Sequence, residues 1–327
     1  MTNPPQSMTY AATLSDIRAA ADRIKPYAHR TPIITCATIN QMAGCQIFFK
    51  CEHMQKIGAF KFRGACNAIM KLDDKVAERG VVTHSSGNHA QAVALAATLR
   101  GIAAHIVMPT TASDIKRTAV RGYGGNVIDC DPDTASRENT ADQVREKTGA
   151  TLIHPYDNDD IIAGQGTAAM ELIEDADDLD AIITPVGGGG LLSGTCVASK
   201  ALKPDIRVFA GEPTGADDAA RSMRSNSIMP QDAPDTIADG LLTSLGTRNW
   251  PIIRDHVEKI ITVDDDTTVH AMRLMWQRAK LLIEPSSAVA VAALLSDTFK
   301  TIQNDQSIKR IGMILTGGNV DIDNLPW

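Results

Sequence analysis

The feature that most constrains this chain is a repeating alternation of short β-branched runs, glycine turns and helical stretches. From Gly80 onward it reads strand GVVTH, a turn at Gly87, helix HAQAVALAATLR, strand AHIVM, helix SDIKRTAVRGY, strand NVIDC, helix SRENTADQVREKTG and strand TLIHP. Parallel strands cannot be joined by tight hairpins and need a crossover, usually a helix, so the pattern dictates a parallel sheet covered by helices on both faces. The second half repeats the theme with AIITPV, LLSGTCVASKAL, RVFAGEP, KIITV, HAMRLMWQRAK, SSAVAVAALL and IGMILT. The fold class is α/β, and 327 residues exceed what a single core organises. Two lobes are expected, each a mainly parallel sheet flanked by helices: a large one from 1–75 plus 158–327 and a small one from 76–157.

The flanking segments fit this frame. Leu14 to Arg23 has helical spacing with Thr13 or Ser15 placed to cap it, after a Pro-bearing start expected to fray. QIFFKC reads as a strand, and Gly58 to Met70 runs from a glycine loop into an Ala-rich helix. The Asp/Pro-rich IMPQDAPDTIADG is a surface loop bordering the site.

Charge and composition then remove whole classes of partner. A net charge of -7 without a Lys/Arg block argues against nucleic acid, which needs a concentrated basic face. No stretch approaches the ~18 apolar residues of a membrane span. The six cysteines are scattered without CxxC or metal-finger spacing and read as free thiols in a reducing, cytoplasmic setting. A small-molecule substrate is what remains.

Four local patterns carry chemistry. GAFKFRGA sets Lys61 between Phe60 and Phe62 at a loop-to-helix boundary, where desolvation lowers an ammonium pKa and favours a nucleophilic amine; taken alone, such a lysine is more often a snorkelling surface residue. Gly187, Gly188, Gly189 and Gly190 lie between a strand and a helix, so their N–H groups can turn toward an anion. The loop is neither GxGxxG, since its third glycine would fall on Leu192 or Ser193, nor a P-loop, since Thr195 stands where lysine is required. SSGNHAQA, from Ser85 to Ala92, offers hydroxyls and free N–H groups to a carboxylate, or else caps its helix through Ser86 or Asn88. Strand IGMILT ends at Thr316 beside two glycines, as a site residue or a plain turn.

These segments, with AGQGT, EPTGADD, TIADG, LIEPSSAV and LTGGNVD, occur in an order that resembles the serine racemase and serine-threonine dehydratase family of fold-type II pyridoxal-phosphate enzymes, whose architecture is like that of the tryptophan synthase β chain. The resemblance covers the whole chain. It implies that Lys61 is the Schiff-base lysine and α-proton base and that Ser86 is the proton carrier on the opposite face. Phe60, Asn88, Gly240, the four glycines and Thr316 would hold pyridoxal 5'-phosphate. Ser85, Ser86, Asn88, His89 and Arg137 would hold the substrate carboxylate, although Arg137 by itself is an ordinary helix arginine. Glu212, Asp218 and the Ala216 carbonyl match a divalent-cation site for Mg2+, or Ca2+ or Mn2+, while Asp217 and Asp218 by themselves suit helix capping. Lys56, Gln91, Tyr123 and Lys280 fall where the animal enzymes bind ATP at a homodimer interface, but Ile57 departs from the threonine usual there, and Tyr156 from an asparagine near the cofactor. The implied activity is racemisation of serine together with elimination of water and ammonia from L-serine or L-threonine. The alternative implied substrate is threo-3-hydroxyaspartate, giving oxaloacetate and ammonia.

Overall fold

The computed structural model describes residues 10–327. The start expected to fray, residues 1–9, lies outside them. The described residues form ten strands: β1 (Ile33–Ile34), β2 (Gln46–Cys51), β3 (Val81–His84), β4 (Ala104–Pro109), β5 (Asn126–Cys130), β6 (Thr151–Leu152), β7 (Ala181–Pro185), β8 (Arg207–Pro213), β9 (Val257–Val263) and β10 (Arg310–Leu315). One six-stranded sheet runs β1-β2-β10-β7-β8-β9 and a four-stranded sheet runs β5-β4-β3-β6. All pairs are parallel except the edge pair β1–β2. Parallel strands covered on both faces lose polar alternation, and all five residues of β7 are buried.

The larger sheet takes strands from both ends of the chain, while the smaller takes residues 81–152 only. Thr13 caps the first helix, Leu14–Ile24: its side chain accepts from Asp16 N and the Asp16 carboxylate reaches back to Thr13 N, a reciprocal arrangement unavailable to Ser15. HAMRLMWQRAK is not one helix. It is regular over Asp265–Leu274, widens into a π-turn over Met275–Ala279 and ends at Lys280 with φ 60°.

Three helices converge beneath the future site, and glycines set how closely. A Cβ at Gly164 would lie 2.6 Å from Gly64 Cα, and one at Gly194 would lie 2.5 Å from Gly166 N. Helices Lys61–Lys71, Asp159–Asp175 and Gly190–Leu202 therefore meet backbone to backbone. The first of these begins at Lys61 and the last at Gly190, so this packing fixes the lysine and the glycine loop relative to each other.

A buried ionic network anchors the lysine helix from behind. Arg63 Nε donates to Glu52 at 2.7 Å and its Nη1 to Glu171 at 2.8 Å, and Lys50 Nζ meets Glu171 at 2.6 Å. Burial pushes the Glu52 carboxyl up, but Arg63 and Thr31 outweigh it and hold the group below its ordinary value. Removing one partner would strand a buried charge, the costly way to break such a network.

Candidate active site

The strand ends and helix starts described above open into one cavity of about 530 Å³. Ligand clefts of open α/β sheets form outside the carboxyl ends of the strands, and β3, β7 and β10 all point theirs here.

Gly187 to Gly190 curl between β7 and the helix Gly190–Leu202. Gly189 has φ +94°, a conformation that side chains disfavour, and a Cβ at Gly188 would stand 2.3 Å from Tyr156 Cγ. Among the described residues, no acceptor engages the N–H groups of these four glycines. Unused donors at a helix N-terminus define an anion site, and a phosphate fits it.

Lys61 is the first residue of its helix. Its Nζ donates to the Pro155 carbonyl at 3.0 Å and lies 5.2 Å from the centroid of the Phe60 ring. Burial lowers its pKa from 10.5 to about 8, with the Glu284 carboxylate pulling the other way. The snorkelling alternative therefore fails: this half-buried amine faces the cavity, and burial makes it easier to deprotonate than a solvated lysine.

The turn from Ser85 to Asn88 settles its own alternative. The helix Asn88–Arg100 has Gly87 as N-cap, with no side-chain cap from Ser86 or Asn88. The Ser85 hydroxyl accepts from Gly87 N at 3.4 Å. The helix end is thus left to a ligand, and Ser85, Ser86, Asn88, His89 and Arg137 all line the cavity. Arg137 Nε is buried without a hydrogen-bond partner, which suits a carboxylate receptor better than a solvated helix arginine. His89 is tied back through Nε2 to the Ile153 carbonyl at 3.0 Å, and burial holds its pKa well below 6.5.

Asn88 Nδ2 donates to the Glu284 carboxylate at 2.9 Å, and its Oδ1 accepts from Asn319 Nδ2 at 2.8 Å. Burial raises Glu284 to about 7, helped by Asp239. Thr316 follows β10, its N–H donating to Ser287 Oγ and its carbonyl accepting from Phe60 N, each at 2.9 Å. Gly240 N donates to Ser286 Oγ at 2.9 Å, which brings the TIADG loop to the cavity rim.

Sequence reasoning missed Glu284, although it sits in the LIEPSSAV motif. It also missed a wall of rings in edge-to-face contact, in which His84 and His154 centroids are 5.8 Å apart and His154 and Tyr156 centroids 4.7 Å apart. His154 Nδ1 accepts from Asp157 N at 2.8 Å, so its proton resides on Nε2, and burial lowers its pKa to about 4. Both histidines lie at or just past the carboxyl ends of parallel strands, and that placement was the available signal.

The oxygen set Glu212, Ala216 and Asp218 runs from the end of β8 into the turn that follows it. The Glu212 carboxylate accepts from Ala219 N and Ala220 N, both at 2.8 Å, so Glu212 meets the helix start that Asp217 and Asp218 were candidates to cap. Asp218 Oδ2 accepts from Leu245 N, while its Oδ1 is buried without a partner. Burial raises the Glu212 carboxyl to about 8 and the Asp218 carboxyl to about 6. Two buried carboxylates, one with an orphaned oxygen, are of the type that suits a hard cation; among the described residues there is no group of three or more acidic, His or Cys side chains that could hold a metal ion. Of the nucleotide set, expected at an interface between two copies, Gln91 lines the cavity. Lys56 lies 5.7 Å from the Phe62 ring centroid, Tyr123 packs on the smaller sheet's core and Lys280 Nζ donates to the Gln277 carbonyl.

A half-buried amine of lowered pKa beside an open phosphate cup is chemistry suited to a phosphorylated aldehyde cofactor. Comparison with known proteins bears this out: the family model for pyridoxal-phosphate dependent enzymes matches residues 24–317, and the chain belongs to that family. It is 50% identical to a serine racemase of Dictyostelium discoideum, over 96% of each chain. It is 49% identical to a beta-hydroxyaspartate dehydratase of Paracoccus denitrificans, over 97% of this chain and 99% of that one. The solved structure of maize serine racemase superposes with a TM-score of 0.95 at 50% identity, covering 96% of this chain and 95% of that one.

Proposed function

We propose that this protein interconverts the enantiomers of serine and eliminates water and ammonia from L-serine, or L-threonine, to give a 2-keto acid. The observation that carries the reading is that one cavity brings together the Lys61 amine, the Ser86 hydroxyl and the unpartnered Arg137 Nε. Bound pyridoxal phosphate would supply the electron sink that acidifies the substrate Cα–H; Gly187 to Gly190 would hold its phosphate, and Phe60, Asn88, Gly240 and Thr316 its ring.

The protein's own share follows from the geometry. The uncapped helix start at Asn88, with Ser85 and Arg137, orients the substrate carboxylate. Lys61, its pKa lowered by burial, takes the α-proton. A proton returned to Cα from Ser86 gives the opposite enantiomer, whereas departure of the β-hydroxyl as water releases an unsaturated amine that solvent water hydrolyses to keto acid and ammonia.

A second reading is elimination from threo-3-hydroxyaspartate to oxaloacetate. It is favoured by the 49% identity to the Paracoccus enzyme and by a second cation, Lys116, on the cavity wall. Chiral analysis combined with a keto-acid assay on serine, threonine and hydroxyaspartate tests both. Keto acid from serine with loss of its enantiomeric purity supports the first, and turnover confined to hydroxyaspartate replaces it with the second.

The wider proposal has four parts. The chain divides into 1–75 plus 158–327 around the larger sheet and 76–157 around the smaller. Glu212, Ala216 and Asp218 hold Mg2+ or a similar ion. Two copies of the chain pair as a homodimer, as the resemblance implies. A reducing, cytoplasmic setting is supported by six cysteines that are all unpaired. ATP is left out of the proposal, because Ile57 stands where the ATP-binding relatives have threonine.

A further inference from the structure

The cavity's small-sheet wall carries two cations in different states. Arg137 Nε is buried and unpartnered. Lys116, on the helix Asp114–Gly122, is instead engaged across the mouth of the cavity: its Nζ lies 2.6 Å from Asp239 Oδ2, on the loop that contributes Gly240. Both partners line the cavity. The Asp239 turn is held independently by the Gly240 N to Ser286 Oγ bond, so it presents its carboxylate whether or not Lys116 is there.

We infer that Lys116 is the subsite for a second, side-chain carboxylate of the substrate, and that Asp239 fills it in advance as an intramolecular stand-in. This rests on the reading of the cavity as an amino-acid site. As built, the cavity offers one unpartnered guanidinium for one carboxylate and thus favours monocarboxylate hydroxy-amino acids. A dicarboxylate must displace Asp239, which competes at an effective concentration on the order of millimolar because it belongs to the same chain. The pair is open to exchange, with side chains 38% and 54% exposed, so the competition is one a substrate can win. The two carboxylate chemistries this family of relatives handles would then differ here by the state of a single ion pair.

The test titrates the holoenzyme calorimetrically with malate and with lactate, unreactive analogues carrying two carboxylates and one. Asp239→Asn should tighten malate by roughly threefold to tenfold, the scale of one partly exposed ion pair, and leave lactate unchanged. Lys116→Met in the Asp239→Asn background should abolish that gain. Steady-state ratios of kcat/KM for hydroxyaspartate over serine should move in parallel, mainly through KM. Unchanged malate affinity in Asp239→Asn, or a gain that survives Lys116→Met, overturns the inference. If malate responds as expected while no hydroxy-amino acid is turned over, the subsite stands and the proposed reaction falls.

Discussion

Lys61 shows what burial does to one side chain. Its pKa of about 8 sets a pH dependence: the neutral amine is the form that condenses with an aldehyde, and its fraction rises as pH climbs through that value. Reloading of apoenzyme with pyridoxal phosphate, followed by absorbance, should therefore accelerate up to about pH 8 and level off above it. A rate still rising steeply toward pH 10 would mean an ordinary, solvated lysine. The same shift bears on stability with a definite sign. The folded state disfavours the ammonium, so it is penalised below about pH 8, and the penalty fades as pH rises from there toward 10.5, where the unfolded amine also loses its proton. Ser86 makes a separate prediction. Replacing it with alanine should suppress racemisation more than L-serine dehydration, because only racemisation needs a proton delivered from its side; equal losses in the two assays would give Ser86 a positioning role instead.

Elements explain why some of this was legible and some not. The strands GVVTH and AHIVM were readable because a buried parallel strand is a short apolar run between turns, and NVIDC because it is a short β-branched run; they appear as β3, β4 and the half-exposed edge strand β5 nearly as bounded. The helix Asp159–Asp175 was not, because Gly164 and Gly166 in AGQGT resemble turn signals while actually letting backbones touch. The π-turn at Met275–Ala279 left no periodic trace. Within the site, Lys61, the glycine cup and the SSGNH turn were visible because each combines a residue type with a strand-to-helix junction. Glu284, His84 and His154 act through burial and three-dimensional neighbours, which no local pattern reports. The cup yields an element-level prediction. Gly189→Ala forces a side chain into φ +94° against Ile253, costing about 1–3 kcal/mol of local strain, and Gly188→Ala collides with the Tyr156 ring. Both variants should bind pyridoxal phosphate more weakly in equilibrium titrations while Lys61 remains intact; unchanged affinity would remove the loop from cofactor binding.

At the scale of the whole molecule, the two sheets place their strand ends around one cavity, and buried groups outside it influence its shape. Asp218 is the clearest, since it holds Leu245 N while Leu245 lies against Gly189 of the cup. A cation on Glu212, Ala216 and Asp218 would stabilise the fold by about 2.7 kcal/mol at a hundredfold excess over its Kd. Chelation should accordingly lower the melting temperature and Mg2+ restore it in the native chain but not in Asp218→Asn; indifference to chelation would leave the carboxylates as structural groups only. The central claim is that the chemistry runs on a cofactor carried by Lys61. Reduction of the holoenzyme with borohydride, followed by peptide mapping in a mass spectrometer, tests it directly. A single pyridoxyl modification on Lys61 is the predicted result, and a modification on another lysine, or none in protein that retains turnover, would contradict it.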